Sequence, residues 1–279
     1  MLSAKLAEAD THRHAYVKSR IRHVEEPTLE QTLAFCAVEP VERVFLHEVA
    51  RRGHGRLLAT IDQGRVTSLC HFGANVVPSG EQASAFAAAT ARAGARMIIG
   101  DEGAVTDLWD AASADLPTPR EDRPGQPVFA IERPPEPGRS ELREATKHDF
   151  DLLLPAAAAT HEGEIGVDPM LTDAEGFRRR TRQQIDERRS WVWIDDGRIL
   201  FKAEASAWTP HAVQLQQVWV DPELRNQGYG RRGLRDLIRL LLDQVPCVCL
   251  FVRADNPAAI RLYEAVGMER VGAYRSLLF

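Results

Sequence analysis

The chain has 279 residues, of which 44% are hydrophobic and 27% charged, values that suit globular protein and exclude long disorder, collagen and coiled coil. Net charge at pH 7 is −5; cutting at Gly138 leaves 15 basic and 19 acidic residues before the cut and 20 and 21 after it. Neither part has the basic surplus of a nucleic-acid-binding domain, though a local basic pocket for a small anion is allowed.

At roughly 150 residues per domain the length predicts about two domains. No apolar run reaches the ~18 residues of a membrane-spanning helix. The opening Met1-Leu2-Ser3-Ala4-Lys5 lacks the charged-then-apolar order of a secretory leader, so the expected compartment is the cytoplasm. Cys36, Cys70, Cys247 and Cys249 form neither a disulfide framework nor a zinc spacing, and no metal site is expected. His12, His14 and His23 read as surface residues.

In chain order, Thr60-Ile61, Asp62-Gln63-Gly64 and Arg65-Val66 suggest a hairpin, followed by one strand over Leu69–Val77. A strand at Met97–Ile99 and a helix at Val105–Ala112 come next. Repeated proline over Pro117–Pro127 and Pro134–Gly138 reads as linker, with Val128–Ile131 as the last strand of the first domain. The expected division is 1–138 and 139–279. After it come a short strand within Ser140–Ala145, helices over Asp149–Ala159 and Thr172–Arg189, and a hairpin turning at Asp196-Gly197. Val213–Val220 is a strand; Leu234, Leu237, Ile238 and Leu241 then recur at helical spacing. Val248–Val252 returns as a strand, Asn256 caps a helix with Pro257 at its first position, and strands at Val271–Tyr274 and Leu277–Phe279 finish the chain. Both parts are thus α/β. The Ile61-Asp62-Gln63-Gly64-Arg65-Val66 hairpin echoes Ile194-Asp195-Asp196-Gly197-Arg198-Ile199, which duplication and coincidence explain equally well.

The informative stretch is Val218-Trp219-Val220-Asp221-Pro222-Glu223-Leu224-Arg225-Asn226-Gln227-Gly228-Tyr229-Gly230. A strand ends there and an Arg-x-x-Gly-x-Gly run opens a helix. Glycine permits close backbone approach, and the helix start offers free N–H groups and a positive dipole end to a phosphate. Arg225, Arg231 and Arg232 add mobile positive charge. The bland alternative is a tight strand-to-helix turn. No Gly-Lys-Ser/Thr follows, so this is not a Walker loop, and no third glycine makes it a Rossmann fingerprint.

A second segment, Val252-Arg253-Ala254-Asp255-Asn256-Pro257 with Leu262-Tyr263-Glu264-Ala265-Val266-Gly267, completes the pattern. Together the two segments resemble the acetyl-CoA-binding core of the GNAT superfamily of N-acetyltransferases, over about residues 139–279. The whole chain resembles actinobacterial proteins in which such a domain follows a less characterised N-terminal one. The resemblance implies a splayed mixed sheet flanked by helices, with acetyl-CoA as cosubstrate. Val218, Trp219 and Val220 would face the acetyl and pantetheine portions, and Val218 and Val220 would offer main-chain groups to them. Arg225, Asn226, Gln227, Gly228, Tyr229, Gly230 and Arg231 would cradle the pyrophosphate, and Asn256 would touch the pantetheine arm or serve only as a helix cap. Tyr263 matches the tyrosine that protonates the departing thiolate, with a plain core tyrosine as the alternative.

An amine must lose its proton before attacking a thioester, and a lysine-type ammonium has a pKa of ~10.4. Some superfamily members carry a glutamate on the strand leading into the loop; here that position holds Gln214, with Gln216 and Gln217 nearby. Glu204 on the neighbouring strand is the replacement candidate. His161, Glu162 and Glu164 follow the first helix of the second part, where the superfamily builds its acceptor pocket, and are read as acceptor contacts or loop polarity. Glu164–Pro169 and Phe201–Glu204 look family-typical without a stated role. In the first part no arginine and no Gly-x-Gly marks a helix start, so a copy there would be degenerate, lacking its cofactor loop. The expectation is an N-acetyltransferase acting on a small-molecule amine or a protein N-terminus; the rival is a non-catalytic acyl-CoA-binding module.

Overall fold

The structure, a computed structural model, describes residues 23–279; His12 and His14 lie outside them. The elements in chain order are β1 (Val24–Glu25), α1 (Leu29–Val38), α2 (Val44–Arg52), β2 (Arg56–Asp62), β3 (Arg65–Phe72), β4 (Asn75–Gly80) and α3 (Ala87–Ala91). Then follow β5 (Met97–Asp101), α4 (Glu102–Ala112), β6 (Glu121–Ile131), β7 (Arg143–Glu144), α5 (Phe150–Ile165), α6 (Pro169–Thr172) and α7 (Ala174–Asp186). The chain closes with β8 (Ser190–Asp195), β9 (Arg198–Trp208), β10 (Val213–Val220), α8 (Tyr229–Leu242), β11 (Val248–Phe251), α9 (Pro257–Ala265) and β12 (Glu269–Leu278).

All twelve strands of the described residues join one mixed sheet in the order β1-β2-β3-β4-β5-β12-β6-β11-β10-β9-β8-β7. Advancing each strand of the first half by six places turns this order into its own reverse. In each half two antiparallel pairings, β2–β3–β4 and β8–β9–β10, lead through a helical crossover into a parallel partner, β5 or β11. A helix and a final strand follow in each half, and those last strands are exchanged. β6 pairs with β11 of the second half, β12 pairs with β5 of the first, and β6 and β12 pair with each other. The sheet is therefore continuous across residue 138.

Three sequence expectations need correction here. Residues 121–127, read as linker, are the first part of β6. Pro124 is tolerated because the register against β12 slips between Arg123↔Ser276 and Gln126↔Tyr274, leaving Pro124 and Gly125 in a bulge where no ladder N–H is required. The single strand over Leu69–Val77 is two: β3 ends at Phe72 and β4 begins at Asn75, the turn being closed by Gly73 N–H to the Asn75 carbonyl at 3.1 Å. The last two strands expected are one continuous β12.

Apolar residues sort onto the two faces of the second half as strand alternation requires. Val248 and Leu250 of β11 pack with Leu234, Leu237, Ile238 and Leu241 of α8 and with Tyr263 and Val266 of α9, each large aliphatic side chain stabilising by about 1.5–3 kcal/mol on burial. Gly233 lets α8 lie against β9: a Cβ there would stand 2.5 Å from the Phe201 ring. On the opposite face Leu153 and Ala156 of α5 and Ile185 of α7 pack on Val192 and Ile199. Cys247 and Cys249 point to that side too, against Val44 at the start of α2. All four cysteines are free and buried.

Candidate active site

β10 and β11 pair in parallel at Val213↔Val248 and Gln214↔Cys249, then part. Divergence is built into β10 itself. Its register against β9 slips between Gln216↔Glu204 and Trp219↔Lys202, and Gln217 takes a positive φ of 50°. The strand bends at that bulge, and a cleft of about 350 Å³ opens beside it. Val218, Gln214, Gln216, Asn256, Ala259 and Tyr263 line it, together with His161 and Glu164 from the end of α5. Its far wall comes from the first half: Asn75, Met97, Ile99, Arg123 and Gln126.

The bulge is anchored from behind. Lys202, fully buried on β9, donates to Gln217 Oε1 at 2.8 Å and to Glu204 Oε1 at 3.1 Å. Glu204 is thus the partner of a buried ammonium, and it is not among the residues lining the cleft. Gln214 is buried, and its amide donates to Ser206 Oγ at 2.9 Å.

Glu164 is the carboxylate that does reach the cleft. Glu164 is exposed at the mouth, and crowding by the surrounding walls is the main cause raising its pKa from the usual 4.5 to about 7. Lys202 and Arg123 oppose that rise and Glu204 adds to it. Tyr263 lies across the cleft, its ring 6% exposed and tilted against Phe129 at 5.6 Å. Burial, with Glu164 as the lesser cause, holds its phenol above the usual range, so it stays protonated. His161 is held below its ordinary pKa by burial and by Arg180.

The loop between β10 and α8 keeps its backbone open to a ligand. Gly228 is the N-cap of α8 with φ +88°, no side chain caps that helix, and a Cβ on Gly228 would meet nothing within 4 Å. By contrast, Asn256 caps α9 by accepting from Ala259 N–H at 3.1 Å. The first N–H groups of the 14-residue α8 are therefore left for an outside acceptor. Asn226 also has a positive φ, and Arg225, Asn226, Gln227 and Arg231 are exposed around the turn. Gly230 is small for a different reason: a Cβ would press Val220 Cγ2 at 3.1 Å and Leu262 at 3.3 Å. Tyr229 packs edge-on against Trp193 at 5.2 Å. Val220 packs with Val218 on the α8 side, while Trp219 joins the cluster under α5 and α7. Arg232, expected as mobile charge, is fixed: it donates to the Gly138 and Arg139 carbonyls and stacks 4.6 Å from the Trp193 ring.

The structure thus brings Val218, Asn256 and Tyr263 to one cleft, sets the glycine loop at the start of α8, and leaves Glu204 behind the wall. Sequence reading gave Glu164 no role beyond acceptor contact or loop polarity and passed over Arg123, and both line the cleft. Glu164 carried a signal, standing with Glu162 in the last turn of the first helix of the second half; Arg123 carried none, since it arrives by strand exchange.

A model of the acetyltransferase (GNAT) family matches residues 158–268, and one of DUF4081, a domain of unknown function, matches 55–153. N-alpha-acetyltransferase RimI of Mycobacterium tuberculosis is 42% identical over 66 residues, 24% of this chain and 40% of that one. Mycothiol acetyltransferase of Mycolicibacterium smegmatis is 34% identical over 104 residues, 32% of this chain and 35% of the relative. The chain therefore spans less than half the length of these relatives. A GCN5-related N-acetyltransferase from Sphaerobacter thermophilus shares the fold over 92% of this chain and 95% of its own, at TM-score 0.58 and 13% identity. Residues 158–268 are thus a domain of the acetyltransferase (GNAT) family, preceded by a DUF4081 domain over 55–153.

Proposed function

We propose that the chain is an acetyl-CoA-dependent N-acetyltransferase whose chemistry lies in the cleft between β10 and β11. One observation carries this reading. Glu164 and Tyr263 line the same 350 Å³ cleft where the strands part, and desolvation there raises the pKa of both, that of Glu164 to about 7. A base poised near neutrality and an acid held protonated are what direct attack of an amine on a thioester asks of a protein.

The residues present fit acetyl-CoA. The uncapped start of α8 offers N–H groups and the helix dipole to the pyrophosphate, with Gly228 leaving room for it. The parted edges of β10 and β11 offer unpaired main-chain groups to the pantetheine arm, beside Val218 and Asn256. Glu164 would take the proton of the incoming ammonium, main-chain N–H groups at the bulge would face the developing oxyanion, and the Tyr263 hydroxyl would protonate the departing sulfur. A carboxylate at Glu164 supplies the base that Gln214 does not, which supports an enzyme over a passive acyl-CoA-binding module. The acceptor is an amine, in a small molecule or at a protein N-terminus. The topology further supports reading the first half as a copy of the same fold without its cofactor loop.

The test is CoA release from acetyl-CoA over a panel of amines, in wild type and in Glu164→Gln and Tyr263→Phe. Loss of release in both variants with acetyl-CoA affinity intact supports the reading. Tight acetyl-CoA binding by wild type without release for any amine overturns it.

A further inference from the structure

Arg120 and Arg123 lie in and just before β6, on the segment that the sequence presents as linker. Arg123 Nη1 donates to the Glu164 carbonyl at 2.9 Å and Arg120 Nη2 to the Ile165 carbonyl at 3.0 Å. These are last-turn carbonyls of α5, which ends at Gly166 with φ +76° and has no basic residue of its own in that turn. Carbonyls at a helix C-terminus lack intrahelical donors and carry the negative end of the dipole, so two guanidinium groups satisfy both needs. Arg123 Nη2 also bonds Glu121 Oε2 at 2.5 Å; Glu121 Oε1 lies 3.9 Å from Arg253, which is doubly bonded to Asp255 beside Asn256. A chain of charges thus runs from the turn bearing Glu164 to the loop that opens α9. Arg123 lines the cleft, and its Nε is buried with no hydrogen-bond partner among the described residues.

We propose that Arg123, aided by Arg120, is a positioning residue: it holds the last turn of α5 so that the Glu164 carboxylate stays in the cleft. The first half of the chain is then a working part of the active site. This rests on the reading of Glu164 as the base. Charged or titratable groups around it are Tyr263 of α9, Arg123 of β6, Arg253 ahead of α9 and His161 of α5 itself in the cleft, with Lys202 and Glu204 of β9 behind its wall.

The test needs no acceptor. The ¹³C carboxyl shift of Glu164, assigned with Glu164→Gln, is followed against pH in the full chain, alongside amide exchange over residues 162–166 and calorimetric binding of acetyl-CoA. Arg123→Gln removes a nearby positive charge, so the Glu164 midpoint should rise above its wild-type value near 7, with faster exchange in the last turn of α5. Arg123→Lys keeps the charge and loses the fork, so it should speed exchange while moving the midpoint less than Arg123→Gln does. A variant that binds acetyl-CoA and shows neither change overturns the proposal. Should Arg123→Gln fail to fold, Arg123→Lys and Arg120→Ala decide, because each leaves the charge of Arg123 or a conservative substitute in place. The two ideas fail separately: an unaltered rate in Glu164→Gln removes the base, whereas an unaltered titration and exchange in the Arg123 variants removes the clamp.

Discussion

Leu108 stands in α4 where Tyr263 stands in α9, equally far from the residue that caps each helix. Asp101 accepts from Ala104 N–H at 2.9 Å and Asn256 from Ala259 N–H at 3.1 Å, and both later side chains are buried. The first half therefore offers an aliphatic group where the second offers a phenol. The end of its β4 is also occupied, by side chains of α2's approach and of β12. Arg43 Nε donates to Ser79 Oγ at 3.0 Å, Ser79 donates to Glu42 Oε1 at 2.7 Å, and Tyr274 donates to the Glu42 carbonyl at 2.6 Å. A Cβ on Gly100 would lie 2.8 Å from the Pro78 carbonyl oxygen, so β4 and β5 stay close where β10 and β11 part. One acetyl-CoA per chain is the expected stoichiometry, and a titration saturating near two would overturn it.

Replacing Glu164 tests the base directly. Glu164→Gln should lower turnover by ~10²–10⁴-fold and abolish the rise of kcat/KM with pH centred near 7. Its stability signature runs the other way. The folded pKa lies above the ordinary 4.5, so the contribution is complete below that value and is lost as pH climbs through about 7. Glu164→Gln should therefore melt higher than wild type at pH 8 and close to it at pH 4, as scanning calorimetry at the two pH values would show.

Tyr263→Phe removes one oxygen and keeps the ring on Phe129. Acetyl-CoA affinity and melting temperature should stay near wild type while turnover falls by about two orders of magnitude. A folded variant turning over at the wild-type rate would make Tyr263 a core residue only.

Gly228→Val should abolish acetyl-CoA binding while the fold survives. At φ +88° a β-branched residue is strained, and relaxing that strain reshapes the loop. Gly228→Asn tolerates positive φ better and should retain more affinity. Calorimetry on both variants, with circular dichroism for the fold, separates shape from bulk.

Gly233→Ala probes packing instead. Its Cβ would meet the Phe201 ring at 2.5 Å, so α8 or the ring must shift, at a cost of about 1–3 kcal/mol. A denaturant midpoint equal to wild type would show that β9 and α8 separate freely.

Local pattern alone determined much of the second half. Leu234, Leu237, Ile238 and Leu241 announce α8 by their spacing, Asn256-Pro257 opens α9, and Asp196-Gly197 turns β8 into β9, because each signal lies within a few residues of the element it makes. The helices α1 and α2 went unread, although Thr28 and Gln31 form a capping box at the start of α1. Other features had no local signature. Prolines at 124 and 127 argued for linker, yet residues 121–127 extend β6 because β12 pairs with them, and sheet pairing is decided by residues far away in the chain. The carboxylate at the site was equally hidden. Glu204 and Glu164 are alike as letters, and only the tertiary structure sets one against Lys202 behind β10 and the other in the open cleft, with Arg123 brought from the first half to hold it.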